Sequence, residues 1–127
     1  MPDLFTFDYA VVRIVPRVER GECINAGIVL YCPTEAFLKA RIELDRARLA
    51  AFAPELDIEC VEDYLATIPL ICEGGAEAGP AGQMAQRARF HWLVAPRSTI
   101  IQLSPVHSGT CHDLDVALEG LIEKMVR

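Results

Sequence analysis

From Phe7 to Val18 the chain is dense in apolar residues, with Tyr9, Val11, Val12, Ile14 and Val15 on odd and even positions alike. Apolar residues on both parities predict a central strand covered on both faces. Pro16 cannot donate to a ladder, so the strand bulges or meets an edge there. Glu19-Arg20-Gly21-Glu22 reads as a turn, with Gly21 supplying a left-handed residue. Cys23 to Cys32 returns as a second strand through Ile24, Ile28, Val29 and Leu30, and Gly27 within it marks a bulge or a close backbone approach. After Pro33-Thr34-Glu35, the residues Leu38, Ala40, Ile42 and Leu44 alternate with Lys39, Arg41, Glu43 and Asp45. This period of two predicts a third strand with one buried and one wet face.

The period then changes. Asp45 is placed to cap a short helix through Arg46, Leu49 and Phe52, stopped by Pro54. Asp57 caps a longer one, in which Ile58, Val61, Leu65, Ile68 and Cys72 share a face and Gly74-Gly75 supplies the stop. Pro69 predicts a kink or break in it, because its ring clashes with the carbonyl of Leu65. Residues 76–82 are small and read as a loop. Phe90, Trp92 and Val94 alternate with His91 and Leu93 and predict a fourth strand. Ala95-Pro96-Arg97-Ser98 reads as a turn, Thr99 to Ser104 as a fifth strand, and Pro105 to Cys111 as a loop. Asp113 caps a last helix with Leu114, Ala117, Leu118, Leu121, Ile122 and Met125 on one stripe. The expected fold is a single α+β domain spanning 1–127: a mainly antiparallel sheet of about five strands with three helices on one face.

Composition narrows the class. At 127 residues and 52% hydrophobic, the chain is sized for one ordered core without a disulfide or metal staple. No apolar run reaches the ~18 residues that cross a bilayer, and no basic region followed by an apolar one opens the chain, so a cytoplasmic protein without a membrane partner is expected. The five cysteines are odd in number and form no CxxC pair. They read as free thiols, with neither a structural zinc nor any other cofactor implied.

The net charge of −6 is unevenly spread. Residues 1–48 sum to zero, and residues 49–86 hold seven acids and no base. Residues 78–112 hold Arg87, Arg89, Arg97 and all three histidines, His91, His107 and His112, and no acid. A basic segment in an acidic chain points to an anion-facing or partner-facing surface, and equally to a polar hairpin beside a solvated helix face. Arginine outnumbers lysine ten to two. That suits bidentate anion contacts, and also follows from the alanine-rich composition of a GC-rich genome. The sequence pI of about 5.0 disfavours nucleic acid as a partner.

Two segments together are distinctive. One is Tyr9-Ala-Val-Val-Arg-Ile-Val-Pro-Arg-Val-Glu-Arg-Gly-Glu22, continuing through Asn25-Ala-Gly-Ile-Val-Leu-Tyr-Cys-Pro33. The other is Arg89-Phe-His-Trp-Leu-Val-Ala-Pro-Arg-Ser98, continuing through Gln102 to Ser104-Pro-Val-His107. In order and spacing they resemble the bacterial domain-of-unknown-function family 3037 over nearly the whole chain. The resemblance brings no established activity and no catalytic residues. Members are often encoded beside a HipA-like kinase domain, which implies such a kinase as a protein partner.

Among chemical candidates, Arg13, Arg17 and Arg20 lie along the first hairpin and Arg97 at the second. If both turns share one end of the sheet, Arg17, Arg20, Arg97 and His107 converge on an anionic group of a ligand or partner. The alternative is separate surface pairs with Glu19 or Glu22. His91 and His107 are candidate general bases by residue type, His107 from a loop. Cys111 beside His112 lacks the orienting third group of a nucleophile. No GxGxxG or Walker A pattern occurs. Two functions follow: a protein-interaction module working with a partner, or a small enzyme or ligand-binding domain with an arginine-histidine anion site. A homodimer is compatible with either.

Overall fold

The computed structural model describes residues 4–75, 78–97 and 99–127. Met1 to Asp3, Ala76 and Glu77 of the expected loop, and Ser98 of the expected turn lie outside the described residues. Among the described residues the chain forms five strands, β1 (Phe5–Ile14), β2 (Ile24–Cys32), β3 (Phe37–Ile42), β4 (Ile101–Leu103) and β5 (His107–Cys111). It also forms four α-helices, α1 (Arg46–Phe52), α2 (Ile58–Glu73), α3 (Gln86–Val94) and α4 (Leu114–Met125). The sheet runs β3-β2-β1, and β4 and β5 share the remaining edge of β1, every pairing antiparallel.

Three helices on one face is corrected to four helices on two faces. The reason lies in the central strands. Val12 and Ile14 of β1 and Val29 and Tyr31 of β2 face one way, where Leu49, Val61, Leu65, Ile68, Phe90 and Leu93 of α1, α2 and α3 cover them. Phe7 and Val11 of β1 and Ile28, Leu30 and Cys32 of β2 face the other way and are covered by Leu114, Leu118 and Ile122 of α4. The ladder between β1 and β2 shifts between Val12 and Arg13, where Val12 pairs with Gly27 and Arg13 with Asn25. Ala26 is the extra residue, and its insertion puts Ile24 and Ala26 on the same side as Val29. At Gly27 an added Cβ would meet the Arg41 carbonyl oxygen and the Ile42 side chain at 2.7 Å, so the site is both a bulge neighbour and a close approach.

Capping aspartates set the helix starts as expected. Asp45, Asp57 and Asp113 accept from the backbone N–H groups of Arg48, Cys60 and Val116 at 3.0, 3.2 and 3.1 Å. Helix α2 is continuous through Pro69 and ends at Gly74, whose φ is 80°. The Thr67 hydroxyl donates to the Tyr64 carbonyl, an i−3 bond in the turn that Pro69 opens. The orphan carbonyls at the end of α2 are taken by Arg89 of α3, which donates to Ile71 at 2.9 Å and Cys72 at 2.5 Å. A second correction concerns residues 90–94, which are helix, not strand: the buried side chains are Phe90 and Leu93, three apart as on one helix face, with Trp92 outward.

Helix α4 lies across the supposedly wet face of β3. Lys39 pairs with Asp115 at 2.9 Å and Arg41 with Glu119 at 2.6 Å, so residues two apart on the strand meet residues four apart on the helix. Arg127 holds Glu43 through two bonds of 2.7 and 2.9 Å, and this keeps the Glu43 carboxyl below its ordinary pKa. Exposed pairs of this kind contribute little singly, so together they orient the helix rather than anchor it.

The expected loop at 105–111 contains β5, the third correction. Val12 pairs with Leu103 and Tyr9 with His107, so two residues of β1 stand opposite three, Ser104 to Val106. Ser104, only 1% exposed, bridges this irregularity. Its N–H donates to the Val11 carbonyl at 2.8 Å, and its hydroxyl accepts the Val11 N–H at 2.9 Å. The same hydroxyl donates to the Pro105 carbonyl. Replacing Ser104 by Ala strands the buried Val11 N–H. The expected loss is about 1–3 kcal/mol of stability with an unchanged denaturant slope, read by urea unfolding; a loss under about 0.5 kcal/mol would show that Ser104 does not hold β4 and β5 to β1.

Candidate functional site

The hairpin arginines gather at one end of the sheet. The turn after β1 is closed by Arg20 and Gly21 N–H groups donating to the Arg17 carbonyl, and Gly21 has a φ of 70°. Arg17 and Arg20 line a depression of about 430 Å3 with Pro16, Glu22, Phe52, Pro54 and Glu55. Each already has an acid: Arg17 stands 3.9 Å from Glu55, and Arg20 is paired with Glu22. Such exposed pairs leave little unsatisfied charge.

Arg97 lies at the same end but in adjoining depressions. Its guanidinium sits 4.2 Å from the centroid of the Trp92 ring and donates to the Trp92 carbonyl. No carboxylate among the described residues pairs with it. His107 is not part of this group. It pairs with Tyr9 across the β1–β5 ladder, their rings 5.6 Å apart. Tyr9 is five residues back from Ile14, about 16 Å along a strand. The structure therefore brings Arg17, Arg20 and Arg97 to one end and leaves His107 at the middle of the edge. His91 is exposed on α3. Of the basic segment, Arg89 is consumed by capping α2.

A further concavity, more apolar than the first, is one the periodicity did not isolate. It is a groove of about 460 Å3 between α2, α3 and the stretch leading into β4. Helix α2 contributes Tyr64, Thr67, Ile68 and Ile71, a stripe at three- and four-residue spacing. Trp92 and Leu93 come from α3, and Ile100, Ile101 and Leu103 close the other wall with Arg97 and Thr99. Tyr64 is 63% exposed and Trp92 44%, so two aromatic side chains stand at the rim of an apolar floor. The available signal was a second apolar stripe on α2, hidden because Tyr64 and Ile71 flank the stronger one through Leu65 and Ile68. Arg97 and Tyr64 are the titratable side chains of the lining among the described residues, and neither supplies a carboxylate or imidazole as a general base. Among the described residues no group of three or more His, Cys, Asp or Glu side chains is placed to hold a metal ion, and no helix is long and apolar enough to cross a membrane.

Fold and site together define a small α+β protein with an arginine-bordered apolar surface groove. The family described as "Protein of unknown function (DUF3037)" matches residues 9–126, nearly the whole chain, and the chain belongs to that family, as the two segments indicated. No curated protein and no solved structure matches it.

All five cysteines are free thiols. Cys23 and Cys60 are exposed, Cys32 and Cys72 buried, and Cys111 intermediate. Burial pushes the Cys72 thiol up to about 12, and burial also raises Cys111. Neither is the lowered-pKa thiol that a nucleophile requires. Brief alkylation of the folded protein at neutral pH is expected to label Cys23 and Cys60 first and to spare Cys32 and Cys72, as read by peptide mass mapping. Early labelling of Cys72 would contradict its burial under α3.

Proposed function

We propose that this chain is a protein-interaction module and that the groove between α2, α3 and β4 is its docking surface. The observation that carries the reading is the exposed pair Tyr64 and Trp92 over a floor of Ile68, Ile71, Leu93 and Leu103, with Arg97 at the border. Trp, Tyr and Arg are the side chains that dominate binding energy at interfaces when they surround a desolvated centre. A single-copy apolar groove bordered by one cation suits a partner segment with an apolar side chain for the floor and an acidic group for Arg97. Among the described residues the lining offers apolar and aromatic side chains rather than a carboxylate or imidazole, which favours binding over chemistry.

The occupant is a segment of a protein partner, and a HipA-like kinase encoded nearby is the first to try, on the strength of the family's habitual neighbourhood. The chain is expected to co-purify with that kinase when the two are expressed together. Trp92→Ala should weaken the complex by about 2 kcal/mol or more, the scale of an interface hot spot, while Lys39→Ala on the α4 side leaves it unchanged. A complex that forms equally well with Trp92→Ala and Tyr64→Ala would remove the groove from the interface.

A further inference from the structure

Next to the groove, and separate from the depression of Arg17 and Arg20, lies a smaller one of about 150 Å3. Arg13, Val15, Val18, Gly21, Cys23, Gln102, Leu103 and Arg97 line it, so among the described residues its lining includes two arginines and no carboxylate. Arg13 is the unusual member. It comes from the middle of the apolar run Val11-Val12-Arg13-Ile14-Val15, directly opposite Gln102 in the ladder. Its Nε is buried and has no hydrogen-bond partner, and among the described residues no acid pairs with it. Arg17, Arg20, Arg41, Arg46 and Arg127 each pair with a glutamate. In a chain of net charge −6, acids are not scarce, yet none stands here.

A buried charged donor without an acceptor is costly, and two like charges in one small depression add repulsion. Both costs vanish if an anion with several acceptor oxygens occupies the space. Guanidinium groups match such oxygens through paired N–H donors. Gln102 lines the site opposite Arg13, and its amide donates to the Thr99 carbonyl at 2.8 Å. The volume admits one compact group and excludes a nucleotide. We infer that this depression is an oxyanion site, in which Arg13 and Arg97 clamp a single phosphate or carboxylate group. The inference stands whether or not the groove takes a partner, although Arg97 borders both. It replaces His107, Arg17 and Arg20 with Arg13 as the companion of Arg97.

The test is calorimetric titration of the intact chain with inorganic phosphate, with acetate, and with sodium chloride at matched ionic strength. Trp92, the single tryptophan, gives an independent signal, because capture of an anion by Arg97 disturbs the cation over its ring. Saturable one-site binding of phosphate or acetate, absent with chloride, is expected; which of the two binds tells whether a phosphoryl or a carboxyl group is the natural occupant. Arg13→Gln should weaken that binding at least tenfold. Arg97→Gln, at a half-exposed position, should do the same, while Lys39→Gln on the α4 side leaves it unchanged. No saturable binding of either anion, an equal response to chloride, or unchanged affinity in a folded Arg97→Gln chain would overturn the site.

Discussion

Strands β1 and β2 carry apolar side chains on both parities, so the hairpin they form exposes two hydrophobic faces that water cannot be allowed to keep. At roughly 1.5–3 kcal/mol per large aliphatic side chain, leaving either face bare would cost more than a domain of this size has in reserve. One face takes α1, α2 and α3, and the other takes α4. The extra residue at Ala26 turns the end of β2 so that Ile24 and Ala26 join the α2 side, and Gly27 lets β3 approach where a Cβ would collide with Arg41 and Ile42. Everything else in the fold answers this two-sided demand.

The two layers meet the demand differently, and the proposed docking surface lies where they differ. On the α4 side, apolar packing is fenced by ion pairs from Lys39, Arg41 and Arg127 and by the Asn25 amide donating to the Met125 carbonyl at 2.8 Å. That face is closed. On the other side, α3 is short, has no side-chain cap at its start, and is fixed by Arg89 at the end of α2 and by Phe90 against Tyr31, ring centroids 4.9 Å apart. Between it and β4 the cover is incomplete, and the gap is the groove. The basic segment noticed in the sequence thus divides its labour. Arg89 builds the wall, Arg97 sits at the border of the groove and the smaller depression, and His107 is left on the edge strand.

Much of this was legible. The two-sided first strand, Gly21 in its turn, the alternation through β3, the three capping aspartates, the Gly74-Gly75 stop and the stripe of α4 all act through local rules. What was misread depended on partners far along the chain. Phe90, Trp92 and Val94 mimic alternation, but the buried pair is Phe90 and Leu93, and no Ser, Thr, Asp or Asn at Ala85 announces a helix. Strand β5 reads His-Ser-Gly-Thr-Cys, polar because it is an edge. Its Gly109 is required by the Phe7 ring, which a Cβ there would meet at 2.7 Å, a contact that spans the length of the chain. The two-sided first strand already argued against helices on one face only. In the candidate site, turn chemistry applied to Arg17 and Arg20 alone, since residues 90–94 are helix and Arg97 follows α3 rather than a hairpin strand. The unpaired state of Arg13 was not foreseeable, since it depends on which acids the fold leaves out.

The most direct test of the account is hydrogen exchange, followed by mass spectrometry, on the chain alone and mixed with the HipA-like kinase proposed as its partner. The β1–β2 amides should be the slowest to exchange in both states, opening only with global unfolding. On binding, protection should rise in peptides covering residues 64–71 and 89–101 and stay constant across α4. Protection gained on α4 and β3, with residues 64–71 and 89–101 unchanged, would place the partner on the closed face and contradict it.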